Sequence, residues 1–178
     1  GVSTMPTSDT AATPAGQGRS TARLAAVQAL YQIELSDSPT EDVIDEFLAL
    51  RIGREIEGEQ YADADRGHFK WLVRSVTERV TELDECVGGA LDAGWTVGRL
   101  GALMRVLLRS ATVELLARPD IPARVVMNEY VELAGAFFSR REPAFVNAAL
   151  DGIARRLRAG EFVSPDDAGG DVRSPAGR

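Results

Sequence analysis

From Arg19 to Arg158 the apolar residues recur three and four positions apart, and no segment shows the every-other-residue alternation of a strand. The first predicted helix runs from about Arg19 to Leu35, with Leu24, Val27, Tyr31 and Leu35 on one stripe that Leu30 widens. Ser38-Pro39-Thr40-Glu41 combines a capping serine, a first-turn proline and a capping-box glutamate. A second helix therefore starts at Ser38, buries Val43, Ile44, Phe47 and Leu48, and ends near Gly53. Glu55 to Asp65 is acidic and unpatterned and reads as a loop. Phe69, Leu72, Val73, Val76, Val80, Leu83 and Val87 then hold a helical repeat up to Gly88-Gly89, as one helix or as two joined near Thr81. The most apolar helix carries Leu100, Leu103, Met104, Leu107, Leu108, Ala111 and Leu115, which places it at the centre of the core. Arg118-Pro119-Asp120-Ile121-Pro122 stops it and starts another with Val126, Tyr130, Leu133 and Phe137. A last helix from about Pro143 to Arg158 buries Val146, Ala149, Leu150, Ile153 and Leu157. The predicted fold class is all-α, with six or seven helices.

Flanking this patterned stretch, residues 1–18 and 160–178 are rich in small and polar residues without periodicity, and both are expected to be disordered tails. The 178 residues are enough for one domain with a sizeable core, or two small subdomains packed together, divided at about 19–94 and 95–159. No run of about 18 apolar residues appears, so no membrane span is expected. The start of the chain lacks the basic and apolar regions of a secretory signal. A single cysteine, Cys86, cannot form an internal disulfide, which fits a reducing cytoplasm.

A net charge of −7 argues at first against a nucleic-acid partner. The excess is local, however. Between Ser36 and Asp65 there are ten acids and two bases, and elsewhere 18 bases face 17 acids.

Catalytic chemistry lacks its parts. The one histidine, His68, has no second histidine or nearby cysteine beside it, so zinc sites and Cys–His or Ser–His pairs are incomplete. Cys86, one residue before an apolar stripe position, reads as core filler. No phosphate-binding glycine loop and no HExxH motif is present. No cofactor, metal site or catalytic residue is expected.

Two places are unusual for a purely structural bundle. Arg19 and Arg23 lie four apart on one face of the first helix, either as solvated charges or as an anion-binding pair. Ser139-Arg140-Arg141-Glu142-Pro143 then leads into a helix whose free N–H groups make an anion-receptive end. Phe145 falls about 100° from Val146 around that helix, off the core face and beside the arginines. An aromatic ring beside arginines suits unpaired nucleic acid, with a base on the ring and phosphates on the cations. Packing of Phe145 on a neighbouring helix is the competing reading.

Four stretches resemble the NusB family. Ala22-Arg23-Leu24-Ala25-Ala26-Val27-Gln28-Ala29-Leu30-Tyr31 is similar to its opening helix. Leu107-Leu108-Arg109-Ser110-Ala111 with Glu114-Leu115 looks like its central helix. Ile121-Pro122 through Met127-Asn128-Glu129-Tyr130 to Ala134 resembles the next, and Phe145-Val146-Asn147 with Leu150-Asp151 and Ile153-Ala154 its closing signature. The resemblance implies two helical bundles packed together and a part in processive transcription antitermination, notably of ribosomal RNA. Its implied partners are NusE, a ribosomal protein, the boxA element of nascent single-stranded RNA, and the RNA polymerase antitermination complex. It also implies RNA contacts at Arg19, Arg23 and Phe145, with Gln28 and Tyr31 as weaker candidates. Family members often open with a dense arginine cluster, of which only Arg19 and Arg23 stand here, so RNA contact is expected to shift toward Arg140 and Arg141. Two alternatives stay open: an accessory domain of an rRNA cytosine methyltransferase, which needs a fused catalytic domain, and a protein-only module that forms a homodimer.

Overall fold

Alanine, more than leucine, decides how the first helix sits. In the computed structural model, which describes residues 15–52, 63–139 and 141–163, α1 (Ala15–Ser36) buries Ala22, Ala25, Ala26, Ala29, Val27 and Leu30. Small side chains let α3 (Asp63–Glu78) and α5 (Ala102–Ala117) approach that face closely. The predicted stripe is therefore turned. Leu24 is only half-buried, Tyr31 is 36% exposed and Leu35 is 63% exposed. Asp37, in the left-handed region at φ 53°, ends α1 and donates its N–H to the Ile33 carbonyl at 3.0 Å.

Pro39 precedes α2 (Thr40–Phe47), but the expected capping box does not form. Glu41 reaches instead to Arg74 of α3, at 2.8 Å, and the Ser38 hydroxyl lies 2.7 Å from that of Ser36. A cation on the neighbouring helix out-competes a backbone N–H for the carboxylate. One π-helical turn, Leu48–Ile52, follows; Gly53 lies outside the described residues. The acidic stretch read as a loop ends inside a helix, because α3 begins at Asp63 and takes in Asp65, whose carboxylate the helix dipole favours near the helix start. The long repeat is two helices. It breaks at Arg79 (φ −120°, ψ 22°), after which α4 runs Val80–Ala90.

Next comes a turn, a short 3-10 segment Val97–Arg99, and then α5, which packs on α1, α3, α4, α6 (Ala123–Phe137) and α7 (Glu142–Leu157). Every residue of α5 from Val106 to Leu115 is buried, so its place at the centre of the core matches the sequence reading. Pro122 and Pro143 stand where α6 and α7 begin. Among the described residues there are seven α-helices and no strand, and no helix is long and apolar enough to cross a membrane.

Charged side chains fasten the helices at several places, Arg109 and Arg158 among them. Arg109 of α5, 8% exposed, pairs with Asp84 of α4 at 2.6 Å and with Glu34 of α1 at 2.9 Å. Arg158, just past α7, donates to the carbonyls of Leu115, Arg118 and Ile121 at 2.6, 2.7 and 3.1 Å. It thereby supplies donors to the last turn of α5 and to the turn after it, where the Arg118 carbonyl also accepts the Ile121 N–H at 3.0 Å. A 3-10 turn, Ala159–Phe162, follows and supplies Glu161, whose carboxylate pairs with the same guanidinium at 2.7 Å.

Candidate nucleic-acid interface

Arg23 does not belong to the surface. It is 1% exposed, and its Nε and Nη2 donate to both oxygens of Glu114, 91 positions away, at 2.9 and 2.7 Å. Glu129 stands 3.5 Å from its Nη1. The expectation that Arg23 contacts RNA is corrected by this burial: a guanidinium sealed between α1, α5 and α6 has no phosphate to meet. Glu114 is itself fully buried and also accepts the Tyr130 hydroxyl, while His68 Nε2 lies 3.3 Å from its Oε1. Burial pushes the Glu114 carboxyl up, but the hydrogen bonds and charge of Arg23, with His68 close by, outweigh it and hold the group at about 2. Burial, with Glu114 alongside, pushes the Tyr130 hydroxyl far above its usual range. His68 is thus a structural histidine, edged by Trp71 at 5.6 Å and by Arg118 Nη1 at 3.3 Å from its Nδ1.

The other candidates divide into two groups. Arg19 is half-buried on the first turns of α1, near Asp120. Tyr31 lies about 18 Å farther along the same helix, and Gln28 is half-buried one turn before it. Tyr31 and Phe145, from α1 and α7, meet in one cleft of about 580 Å³, floored by Leu100, Leu103, Met104 and Phe138. Phe145 is neither fully outward nor sealed. It is half-buried against the core and leaves part of its ring in the cleft, so both readings of this residue hold a share of the truth. Arg141 is exposed at the residue before α7. Arg140 lies outside the described residues.

Sequence reasoning missed Trp95, which shares this cleft. Its indole is 50% exposed, with its centroid 6.0 Å from that of Phe145 at a tilt of 54°, and the Arg99 guanidinium stands 5.5 Å from the ring. The signal was a tryptophan beside a glycine between two helical repeats, four residues before an arginine. Among the described residues, no group of three or more His, Cys, Asp or Glu side chains is placed to hold a metal ion.

Residues 20–155 match the NusB family. A transcription antitermination protein NusB of Nitrobacter hamburgensis is 46% identical, over 82% of this chain and 91% of its own. That of Caulobacter vibrioides is 48% identical, over 80% and 95%. Among solved structures, NusB of T. maritima superposes with a TM-score of 0.69 at 30% identity, covering 81% of this chain and 96% of that one. A crystal structure of the antitermination factors NusB and NusE in complex with double-stranded RNA shares the fold, with a TM-score of 0.66 at 23% identity, over 79% and 98%.

Proposed function

Since the chain belongs to the NusB family, we propose that it serves transcription antitermination as a non-catalytic RNA-binding adaptor in the cytoplasm. The observation that carries this reading is the match over residues 20–155 to relatives named for that activity. Its partners in the proposal are a boxA-type single-stranded RNA and NusE, within the RNA polymerase antitermination complex. A NusB of the same fold has been solved with NusE and double-stranded RNA.

The contact surface we propose runs from Arg19, past Gln28 and Tyr31, to Phe145, Arg140 and Arg141. Arg23 drops out of it. Part of the Phe145 ring faces a cleft shared with Tyr31, and Arg141 is exposed beside the first turn of α7, which supports a base on the ring and a phosphate at the helix start. With so few cations on this surface, the chain alone binds weakly and NusE supplies further contacts.

Binding of a boxA-type RNA with and without NusE, over a salt series, tests the proposal. Cooperative binding is expected, with log affinity falling against log salt by roughly 0.7 per phosphate contacted. Phe145→Ala lowers RNA affinity by about 1–3 kcal/mol. Replacing Arg140 and Arg141 together by alanine lowers the salt slope by up to about 1.4. No binding in either condition sinks the proposal, and an unaltered slope removes the arginine pair from it.

A further inference from the structure

We infer that Trp95 and Arg99 form, with Phe145, a clamp for one unpaired nucleobase of single-stranded RNA: the base lies against the indole, and an adjoining phosphate lies on the Arg99 guanidinium. The inference rests on the RNA-binding reading above and adds to it a subsite from a different part of the chain, the turn between α4 and α5.

That turn presents the indole deliberately. The Trp95 N–H donates to the Asp92 carbonyl at 3.0 Å, and Gly94 takes φ +92°, a conformation that strains any residue with a Cβ. The result is a tryptophan held half in solvent, where its ring adds little to the core. Arg99 Nη1 donates to the Gly94 carbonyl, which fixes the guanidinium near the indole; its remaining N–H groups have no other partner among the described residues. Phe145 packs on the indole itself, with ring centroids 6.0 Å apart at a tilt of 54°, so it props the Trp95 ring on one side and leaves the base to the part of the indole in solvent.

Charge and size choose the occupant. The chain as a whole carries −7, yet the charged residues lining this cleft are Arg99 and Glu142, and the Glu142 carboxylate already accepts the Ser139 hydroxyl at 2.9 Å. Arg141, next to Glu142 in the chain, is exposed. An apolar floor beneath a half-exposed indole, with the Arg99 guanidinium held against that ring, fits a ring system tied to an anionic backbone. A space of about 580 Å³ is in the range of pockets for small ligands and is narrow for a docked helix.

The test uses the full chain with NusE and a labelled boxA-type single-stranded RNA, followed by anisotropy, with the same RNA annealed to its complement as control. Trp95→Ala is expected to weaken single-strand binding about tenfold, within the range of roughly 5- to 150-fold that one stacked base gives. Trp95→Phe retains most of that affinity, and Arg99→Ala lowers the salt slope by roughly 0.7. The duplex is bound equally by Trp95→Ala and the parent chain. Trp95 emission, isolated by subtracting the signal of the Trp95→Phe variant, is quenched by the single strand. If the parent chain binds the single strand and Trp95→Ala binds it equally well with unchanged thermal stability, the clamp is wrong and the function stands. If Trp95→Ala loses affinity for NusE without RNA and none for RNA, the cleft takes protein and the inference is overturned. If the parent chain binds no RNA at all, both fall.

Discussion

Replacing Glu114 by glutamine is expected to cost about 3–5 kcal/mol of folding stability, a large share of the roughly 5–15 kcal/mol of a domain. The substitution keeps the shape of the side chain and removes the charge that Arg23, Tyr130 and His68 all face. The buried guanidinium then lacks its counter-ion, and desolvation of that cation dominates the loss. Urea unfolding followed by circular dichroism gives the number; a loss below about 1 kcal/mol would mean that the Arg23–Glu114 pair does not hold α1 to α5. Arg23→Ala should destabilise comparably, and any fall in its RNA affinity should vanish once the folded fraction is corrected. The pH profile has a definite sign. The Glu114 carboxyl stands at about 2 in the folded chain against an ordinary 4.5, so its contribution is complete above about 4.5 and is lost as pH falls towards 2. The Tyr130 hydroxyl is raised above its ordinary 10.0, so its contribution is complete below that value and is lost only as pH rises beyond it. In Glu114→Gln the acid limb should flatten.

Arg158→Ala is expected to cost about 3 kcal/mol, the scale for removing a charged donor from several part-buried carbonyls at once. Three carbonyls accept from this one guanidinium within 3.1 Å, and its side chain is 10% exposed. Arg155→Ala is the fitting control. Arg155 also pairs with a carboxylate, Asp151 at 2.9 Å, but in solvent, where such a pair contributes about 0–1 kcal/mol. Hydrogen exchange should show the Arg158 variant opening first at the end of α5 and in the turn to α6. Equal stability of the two variants would refute the assignment.

The central helix was legible because its leucines, valines and alanines spread over most of its circumference, and a segment so apolar belongs in the middle; that it also carries Arg109 and Glu114 inward was not legible. The helix starts at Pro122 and Pro143 were legible because proline acts locally, through its own φ and missing N–H. What failed was whatever depended on a distant partner. Arg23 and Arg19 share a spacing that says nothing of which one faces inward, and the residue that decides it, Glu114, is 91 positions away from Arg23. Glu41 carries the signature of a cap, yet Arg74, 33 positions on, holds it. The face of α1 was misjudged because alanine contributes little to an apolar stripe and much to close approach of two helices. At the cleft, Phe145 was found from its offset to Val146, whereas Trp95 sits outside any periodic segment, so no helical phase could point to it.

The all-round burial of α5 has a consequence for synthesis. Its flanks are covered by α1, α3 and α4, which precede it, and by α6 and α7, which follow. A nascent chain that has emerged only as far as α5 therefore exposes the flank of this helix that α6 and α7 cover in the finished fold, while those two helices are still inside the ribosome. Native closure waits for the last helix, and any pause in translation between α5 and α7 lengthens the window in which chaperones, or another unfinished copy, can seize it.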